Sequence, residues 1–204
     1  AALGLEDQRH LDLIQSSADL MQALVSDLLD ASAQGVGGLR VAPRPVLLSG
    51  LLDELVRTLE PGARAGDVTL SVQIGADVPD AVELDPVRTR QILLNLLSNA
   101  VKATPGGRVV LQALRRDASL VLAVDDDGPG IPARDRQRVF EAFEQSTVGL
   151  AVGANGVGLG LYIAGQLARA AGGRLDLVDR AGPGTRFEVT LPLVAVRLPE
   201  GTPL

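Results

Sequence analysis

One segment, Gln91–Lys102 (QILLNLLSNAVK), constrains the fold of this chain more than any other. Read as a helix, it is apolar over most of its circumference, which predicts a buried helix. Asn95, Asn99 and Lys102 nevertheless fall at i, i+4 and i+7 and form one polar stripe. Buried without partners, each would cost about 1–3 kcal/mol or more. The stripe therefore lies either in a polar network that caps a helix bundle or along a pocket, where amide oxygens and a cation suit a hard metal ion and phosphate.

Composition excludes several classes of protein. The 204 residues are 46% hydrophobic and 22% charged, which predicts one globular domain plus an extra element. A net charge of −6 with no Trp and one Tyr argues against nucleic-acid binding. The absence of Cys and the single His exclude thiolate and His-rich metal sites. No apolar run approaches a membrane span, so we expect no direct membrane contact and a cytoplasmic location, compatible with a parent protein anchored in the inner membrane.

The first 45 residues predict a long helix followed by a linker. Residues 1–32 contain a helix over 6–31 with an apolar seam at alternating steps of three and four. The seam residues are Leu11, Ile14, Ala18, Met21, Val25 and Leu28. A homodimer through this helix is the simplest bundle, and packing onto the chain's own domain is the alternative. Residues 33–45, rich in Gly and Pro, are predicted as the linker.

Residues 46–196 are predicted as one domain and residues 197–204 as a tail. A helix is expected over 48–59, ended by Pro61, and a second helix begins at Asp85 and Pro86, a cap residue and an N1 proline. A third helix is expected over 159–171. The predicted strands are 68–74, 82–84, 108–114, 119–124, 174–178 and 185–191. This mixture predicts a two-layer α/β (α+β) sandwich, with a mixed sheet packed on about three helices.

A second motif, VDDDGPGI at residues 124–131, places a carboxylate at the edge of the core. Leu120, Leu122 and Val124 share the buried face of the preceding strand, and Asp126 is the next residue on that face. A carboxylate there needs a hydrogen-bond donor, and the glycines beyond it leave room for a flat group. We therefore expect Asp126 to bind a ligand. An acidic turn in solvent is the alternative interpretation.

Two further glycine motifs give weaker evidence of a site when each is considered alone. GVGLGL at residues 156–161 enters a helix, so its N–H groups and the helix N-terminus could hold phosphate, although a flexible linker would also fit. About a dozen residues without predicted structure precede it, typical of a functional lid or of disorder. GPGTRF at residues 182–187 predicts a turn that opens the last strand.

In this order and spacing, the motifs resemble the histidine-kinase branch of the ATPase superfamily shared with gyrase, Hsp90 and MutL. NLLSNAVK at 95–102 is similar to its N box, DDGPG at 126–130 to the G1 box and FEAF at 140–143 to the F box. Residues 156–161 resemble the G2 box and residues 182–187 the last glycine box. Glu144 and Gln145 resemble the hybrid kinases, which append a receiver domain. Helix 6–31 looks like the second helix of the family's dimerisation hairpin.

The resemblance implies a site for ATP and Mg²⁺. Asp126 would accept a hydrogen bond from the adenine 6-amino group, Asn99 would be the Mg²⁺ ligand, and Asn95 and Lys102 would be catalytic. Thr185 would support Asp126. The ATP-binding residues implied are Asn95, Asn99, Lys102, Asp126, Gly128, Gly130, Ile131, Phe143, Gly156, Val157, Gly158, Leu159, Gly160 and Thr185.

Three departures from the family pattern qualify this expectation. The first hairpin helix, with its phosphoacceptor histidine, is absent, and His10 is not expected to replace it. Asn95 stands where gyrase-like relatives carry a water-activating Glu, which argues against vigorous hydrolysis. No Lys or Arg lies between Arg138 and Arg169, and Val157 replaces a more usual Thr, so phosphate neutralisation would rest on Mg²⁺ and Lys102.

The resemblance implies the catalytic part of a sensor histidine kinase that transfers the γ-phosphoryl of ATP to a histidine missing from this chain. The expected partners are a second copy, the histidine-bearing helix of the parent kinase and a response-regulator receiver domain. The fragment itself is expected not to autophosphorylate. A degenerate nucleotide-sensing interaction module is the main alternative, and a gyrase-like ATPase is the third.

Overall fold

The computed structural model describes residues 41–144, 158–180 and 182–197. The predicted dimerisation helix with His10, residues 33–40 of the predicted linker, and residues 198–204 of the predicted tail lie outside the described residues. Residues 145–157, which include most of the predicted lid, also lie outside them. No helix in the described part is both long and apolar enough to cross a membrane.

Helix α1 runs from Leu48 to Ala65, further than predicted. Its buried residues recur at the spacing of one helix face and are Leu48, Leu51, Leu52, Leu55 and Ala63. The prediction that Pro61 ends this helix is wrong. Proline removes one N–H donor, but the turn beyond it is held because Ala63 is buried and its carbonyl accepts from the Val68 N–H at 2.8 Å.

Helix α2, Pro86–Ala103, is the predicted central helix. Its start is confirmed, since the Asp85 carboxylate accepts from the N–H groups of Val87 at 2.9 Å and Arg88 at 3.0 Å. These bonds satisfy two of the donors left free at a helix N-terminus. The face that enters the core comprises Thr89, Ile92, Leu93, Leu96, Leu97 and Ala100.

Within the described residues, seven strands form two sheets. They are β1 (Arg44–Leu47), β2 (Thr69–Ile74), β3 (Ala81–Leu84), β4 (Arg108–Arg116), β5 (Ser119–Asp126), β6 (Arg174–Val178) and β7 (Thr185–Pro192). The larger sheet has the order β2-β4-β5-β7-β6; β2 and β4 are parallel and the other pairs antiparallel. The predicted mixed sheet is thus confirmed. Strands β1 and β3 form a separate antiparallel pair, and β1 was not predicted.

The predicted two-layer sandwich is confirmed: α1, α2 and α3 (Gly160–Ala170) pack on the five-stranded sheet. Strand β5 lies at its centre, and Leu120, Leu122 and Val124 are buried as predicted. Val121 and Ala123, on the opposite face of β5, are buried as well. Strand β5 therefore ends inside the protein, and Asp126 is its last residue.

Candidate functional site

Asp126 is buried at the end of β5, with 4% of its surface exposed. Its Oδ1 accepts from the N–H of Gly128 at 2.9 Å and from the N–H of Thr185 at 3.2 Å. Burial raises the pKa of Asp126, and these hydrogen bonds, the Thr185 hydroxyl and the charge of Arg180 oppose that rise. The alternative of an acidic turn in solvent therefore does not fit Asp126.

The two neighbouring carboxylates are neutralised by arginines. Asp125 pairs with Arg186 and lies 3.8 Å from Arg180 Nε. Asp127 lies 3.2 Å from Arg180 Nη2 and 3.3 Å from Arg108 Nε. Within the described part of the chain, the hydrogen bonds to the Asp126 carboxylate come from uncharged groups of Gly128 and Thr185. Of the three carboxylates, that of Asp126 can therefore still accept a hydrogen bond from a ligand.

The first glycine loop packs directly on the end of α2. A methyl group on Gly128 would lie 2.8 Å from both the Ala103 carbonyl oxygen and Asp126 Oδ1, closer than side-chain carbons approach. Gly130 has a positive φ of 77°, and a methyl group there would lie 3.1 Å from the Gly184 carbonyl oxygen. Because Gly128 and Gly130 have no side chains, the loop that follows Asp126 can pack closely against α2 on one side and against the β6–β7 turn on the other.

The polar stripe of α2 faces outward. Asn95 is partly buried, whereas Asn99 and Lys102 are exposed. A stripe on the open side of α2 does not cap a helix bundle, so that alternative is wrong. Asn95 adjoins the start of α3, since a methyl group on Gly160 would lie 3.6 Å from Asn95 Oδ1.

Helix α2 therefore joins two glycine loops. Asn95 lies beside Gly160, and nine residues further on Thr104, next to Ala103, lies beside Gly128. At about 1.5 Å per helical residue, the two ends of this edge are roughly 13 Å apart. Asn99 lies between them. This edge of α2 thus runs from the loop that follows Asp126 to the start of α3.

The second glycine motif is described only in part, because Gly156 and Val157 lie outside the described residues. The Gly158 carbonyl accepts from the Phe143 N–H at 3.0 Å, which joins the two ends of the intervening segment. Gly158 has a φ of 75°, and a methyl group there would lie 2.6 Å from the Glu144 carbonyl oxygen. Phe143 has a φ of 68°, uncommon for a bulky residue, and is 71% exposed. Leu159 is buried.

A cavity of about 290 Å³ adjoins the Asp126 end of the site. Gly130, Ile131 and Thr185 line it together with the end of β6 and the β6–β7 turn. Asn99 and Lys102 are not among its lining residues. The α2 stripe is thus connected to Asp126 through Gly128 rather than through this cavity.

Metal binding by side chains alone finds little support in this region. Residues 41–144, 158–180 and 182–197 contain no group of three His, Cys, Asp or Glu side chains placed to hold a metal ion. A divalent ion at Asn99 would therefore draw its remaining ligands from a bound anion and water. Mg²⁺ suits such a site, because it keeps several waters and binds through phosphate oxygens.

Two arginines in this region were not identified from the sequence. Arg180 and Arg186 contact the aspartate turn across separations of 54 and 61 residues. Arg186 lies within the GPGTRF motif but was given no role there, and Arg180 lies outside the motifs. The register of β5 with β7 pairs Asp125 with Arg186, and the pairing of β6 with β7, with Val178 opposite Arg186, brings the segment that carries Arg180 to the turn.

The buried aspartate, the two glycine loops and the polar edge of α2 on a mixed α/β sandwich define an ATPase-type nucleotide-binding domain. The family model described as histidine kinase-, DNA gyrase B-, and HSP90-like ATPase matches residues 84–195, more than half of the chain. The chain belongs to this family. The resemblance inferred from the sequence motifs is confirmed.

The relatives are sensory proteins and histidine kinases. The sensory/regulatory protein RpfC of Xanthomonas campestris is 37% identical over 98% of this chain and 29% of its own length. The signal transduction histidine-protein kinase BarA of Escherichia coli is 34% identical over 87% of this chain and 20% of its own length. The chain thus spans less than a third of these relatives. The structure of full-length ShkA in complex with AMPPNP is 31% identical, with a TM-score of 0.75 over 97% of this chain and 41% of that one.

Proposed function

We propose that this chain is the ATP-binding catalytic part of a two-component sensor histidine kinase. It would transfer the γ-phosphoryl of ATP to a histidine on another segment of the parent protein, and from there to a response-regulator receiver domain. The family match and the kinase relatives support this assignment. The AMPPNP complex of ShkA supports the nucleotide.

The observation that carries the proposal is the buried carboxylate of Asp126, held by neutral donors. Such a carboxylate can accept a hydrogen bond from the 6-amino group of adenine. Gly128 and Gly130 keep the approach to it free of side chains, and Ile131 offers a partly buried apolar surface beside it. Thr185 fixes the carboxylate from the β7 side.

The exposed edge of α2 suits the phosphates. Asn99 would give one amide oxygen to Mg²⁺, which supplies charge neutralisation between the phosphates. Lys102 would place its ammonium near a phosphate, and Asn95 lies beside Gly160 at the start of α3. Asn95 cannot act as a carboxylate base for water, which favours phosphoryl transfer over a gyrase-like hydrolysis. Gly156 to Gly160 would line the phosphates.

One observation favours the alternative of a degenerate nucleotide-sensing module. No Lys or Arg occurs between Arg138 and Arg169, and Arg138 itself pairs with Glu144 at 2.7 Å. Phosphate neutralisation would then depend on Mg²⁺ and Lys102. Weak nucleotide affinity without phosphoryl transfer is what this alternative predicts.

The binding step is tested by calorimetry with Mg-ADP or Mg-ATP. We expect saturable binding that Asp126→Asn weakens at least about tenfold, because a charge-assisted hydrogen bond contributes about 1.5–3 kcal/mol. Asp53→Asn, the same change on an exposed carboxylate of α1, is the matched control and should bind nearly as wild type. Absence of binding at millimolar nucleotide would contradict the proposal.

The transfer step requires a separately supplied histidine-bearing helix domain of the same parent. We expect ATP-dependent, acid-labile label on that domain and none on His10. The parent should act as a homodimer through helix 6–31, with this part on the cytoplasmic side of the membrane if the parent is anchored. If the full-length parent takes no label from ATP while still binding it, the nucleotide-sensing alternative is correct.

A further inference from the structure

Arg180, two residues beyond β6, contacts all three residues of the aspartate turn. Its Nη1 donates to the main-chain oxygen of Asp126. Its Nη2 lies 3.2 Å from Asp127 Oδ1, and its Nε lies 3.8 Å from Asp125 Oδ1. The Arg180 side chain is only 22% exposed. One guanidinium therefore holds the main chain of Asp126 and both neighbouring carboxylates.

The glycine turn before β7 makes this contact possible. Gly184 has a φ of 112°, and a methyl group on it would overlap both the Asp126 carbonyl oxygen and Arg180 Nη1. The next residue, Thr185, is the register partner of Asp126 and donates to its Oδ1. Arg180, Gly184 and Thr185 thus fix one peptide and one carboxylate from the same side.

The charges around Asp126 make Arg180 electrostatically significant. The charged groups near the turn are Asp125, Asp127, Arg108, Arg180 and Arg186 from the sheet and its loops, together with Lys102 at the end of α2. Burial raises the pKa of Asp126, and the Arg180 charge is one of the factors that lower it. Without that cation, the protonated form of Asp126 would be favoured at higher pH.

We infer that Arg180 is a positioning residue for nucleotide recognition: it holds the main chain at Asp126 so that this carboxylate meets the adenine amino group. This inference rests on the proposed function. Arg180 also lines the cavity beside Asp126, but in this scheme it acts through Asp126 rather than on the ligand. A planar guanidinium with several donors suits the role, because an ammonium could not bond to the carbonyl and two carboxylates in the same geometry.

The test compares Arg180→Met and Arg180→Lys with wild type by calorimetry with Mg-ADP from roughly pH 5 to pH 8. Arg180→Met should weaken binding about tenfold and raise the pH at which binding is lost on acidification. In Arg180→Lys, the pH at which binding is lost should return close to the wild-type value, whereas the affinity should recover less. Lysine keeps the positive charge but lacks the planar set of donors of arginine. Because every variant is titrated with the same ligand, protonation of the ligand itself affects all variants equally and drops out of the comparison.

Arg174→Met is the matched control. Arg174 begins β6, bonds Asp176 at 2.7 Å and pairs in register with Thr190, five residues along β7 from Thr185. At about 3.4 Å per strand residue, this position is roughly 17 Å from the Asp126 register pair. Its substitution should leave affinity and pH dependence unchanged.

The possible outcomes separate the two proposals. If wild type does not bind nucleotide, the proposed function fails, and this inference with it. If wild type binds and Arg180→Met binds equally well with the same pH dependence, the inference is overturned while the proposed function stands. A loss of affinity with an unmoved pH midpoint and a matching fall in Tm would also overturn it, because it would show a merely structural role.

Discussion

At the scale of single residues, three consecutive aspartates at the end of β5 have three different surroundings. Asp125 and Asp127 are paired with arginines. Asp126 is buried and receives hydrogen bonds from Gly128 and Thr185. Because burial without an ion pair disfavours a carboxylate, this residue is costly for the fold unless a ligand uses it. The difference in surroundings, rather than the count of charges, identifies the binding residue.

Gly128 should tolerate no side chain. In Gly128→Ala, the new methyl would lie 2.8 Å from the Ala103 carbonyl oxygen and from Asp126 Oδ1, so the loop must move away from α2. We expect the free energy of unfolding to fall by about 1–3 kcal/mol. Nucleotide affinity should fall as well, because the Gly128 N–H that orients Asp126 would be displaced. Urea unfolding and calorimetry measure the two effects.

Gly62→Ala is the control for that substitution. Gly62 lies in α1, and a methyl group there would meet nothing within 4 Å. Alanine is favoured over glycine in a helix, so we expect this variant to be more stable by about 0.4–1 kcal/mol, with unchanged nucleotide binding. Equal stability of Gly128→Ala and wild type would contradict the close packing of the loop on α2.

Sequence reasoning at the residue scale succeeded where the signal was local. Asp85 was predicted as a helix cap and Asp126 as a buried acceptor, because a cap and a strand alternation are each read from a few neighbouring residues. Arg180 and Arg186 were missed, because their partners are more than 50 residues away. Arginines are usually solvated, so neither Arg180 nor the position of Arg186 in the GPGTRF motif predicts an ion pair with the aspartate turn.

At the scale of elements, the sheet face opposite to Asp126 carries an ion network across β4, β5 and β7. Glu188 on β7 accepts from Arg116 of β4 at 2.9 Å and from Arg186 at 2.9 Å. Arg186 also pairs with Asp125 of β5. The side chain of Glu188 is 5% exposed, so its charge depends on these partners. The network joins the centre of the sheet to the strand that begins at Thr185.

Glu188→Gln should weaken the sheet in a pH-dependent way. Burial raises the pKa of Glu188, but Arg116 and Arg186 lower it further, so the folded value lies below the ordinary 4.5. A lowered pKa stabilises the fold above the unfolded value, and this contribution is lost as the pH falls through the folded value. At pH 7 we expect a loss of about 1.5–3 kcal/mol, shrinking below about pH 4.5.

The control is Glu60→Gln in α1. Glu60 pairs with Arg64 at 2.6 Å, but both side chains are at least half exposed. Exposed pairs of this spacing contribute only about 0.3–0.5 kcal/mol, so this variant should unfold almost as wild type does. Chemical denaturation from pH 3 to pH 8 compares the two. A pH-independent loss in Glu188→Gln would show that the charge of Glu188 is not what stabilises the sheet.

Two element-level predictions failed for physical reasons. Pro61 was expected to end α1, but local propensity is outweighed when the next turn buries Ala63 and bonds to Val68. Strand β1 was missed because its four residues include Pro45 and show no clear alternation. It exists because β3 offers a pairing edge, with Val46 opposite Val82. Tertiary contacts decided both outcomes.

At the scale of the whole domain, the segments that precede α1 and follow β7 both contact β3. Strand β1 pairs with β3, and the Ala42 N–H donates to Asp85 Oδ2 at 2.8 Å. On the C-terminal side, the Glu83 N–H donates to the Val194 carbonyl at 2.9 Å. The N-terminal segment therefore contacts the residue that caps α2, and the C-terminal segment contacts the strand that leads into this cap.

The architecture was predictable because independent signals agreed, although each was weak singly. The helix at Asp85, the hairpin of β4 and β5 and the glycine turn before β7 are each local patterns, and together they specify a mixed sheet with helices on it. The order of the sheet was not predictable, because the parallel pairing of β2 with β4 is made by a connection that contains β3 and α2, and no local pattern specifies that pairing. The contacts of the two terminal segments with β3 likewise join residues that are far apart in the sequence, so they were not predictable either.

Truncation after Pro192 tests whether the C-terminal segment is part of the fold. It removes the Leu193 N–H bond to Ala118 and the carbonyl that accepts from Glu83, at 2.9 Å each, and the Val196 N–H bond to Ala81 at 3.1 Å. At about 1 kcal/mol for each hydrogen bond, we expect a loss near 3 kcal/mol and faster amide exchange at Glu83. Truncation after Arg197 removes only the predicted tail and should change neither quantity. If both truncations unfold as wild type does, the segment does not stabilise β3; if both are equally destabilised, residues 198–204 contribute and the predicted loose tail is wrong.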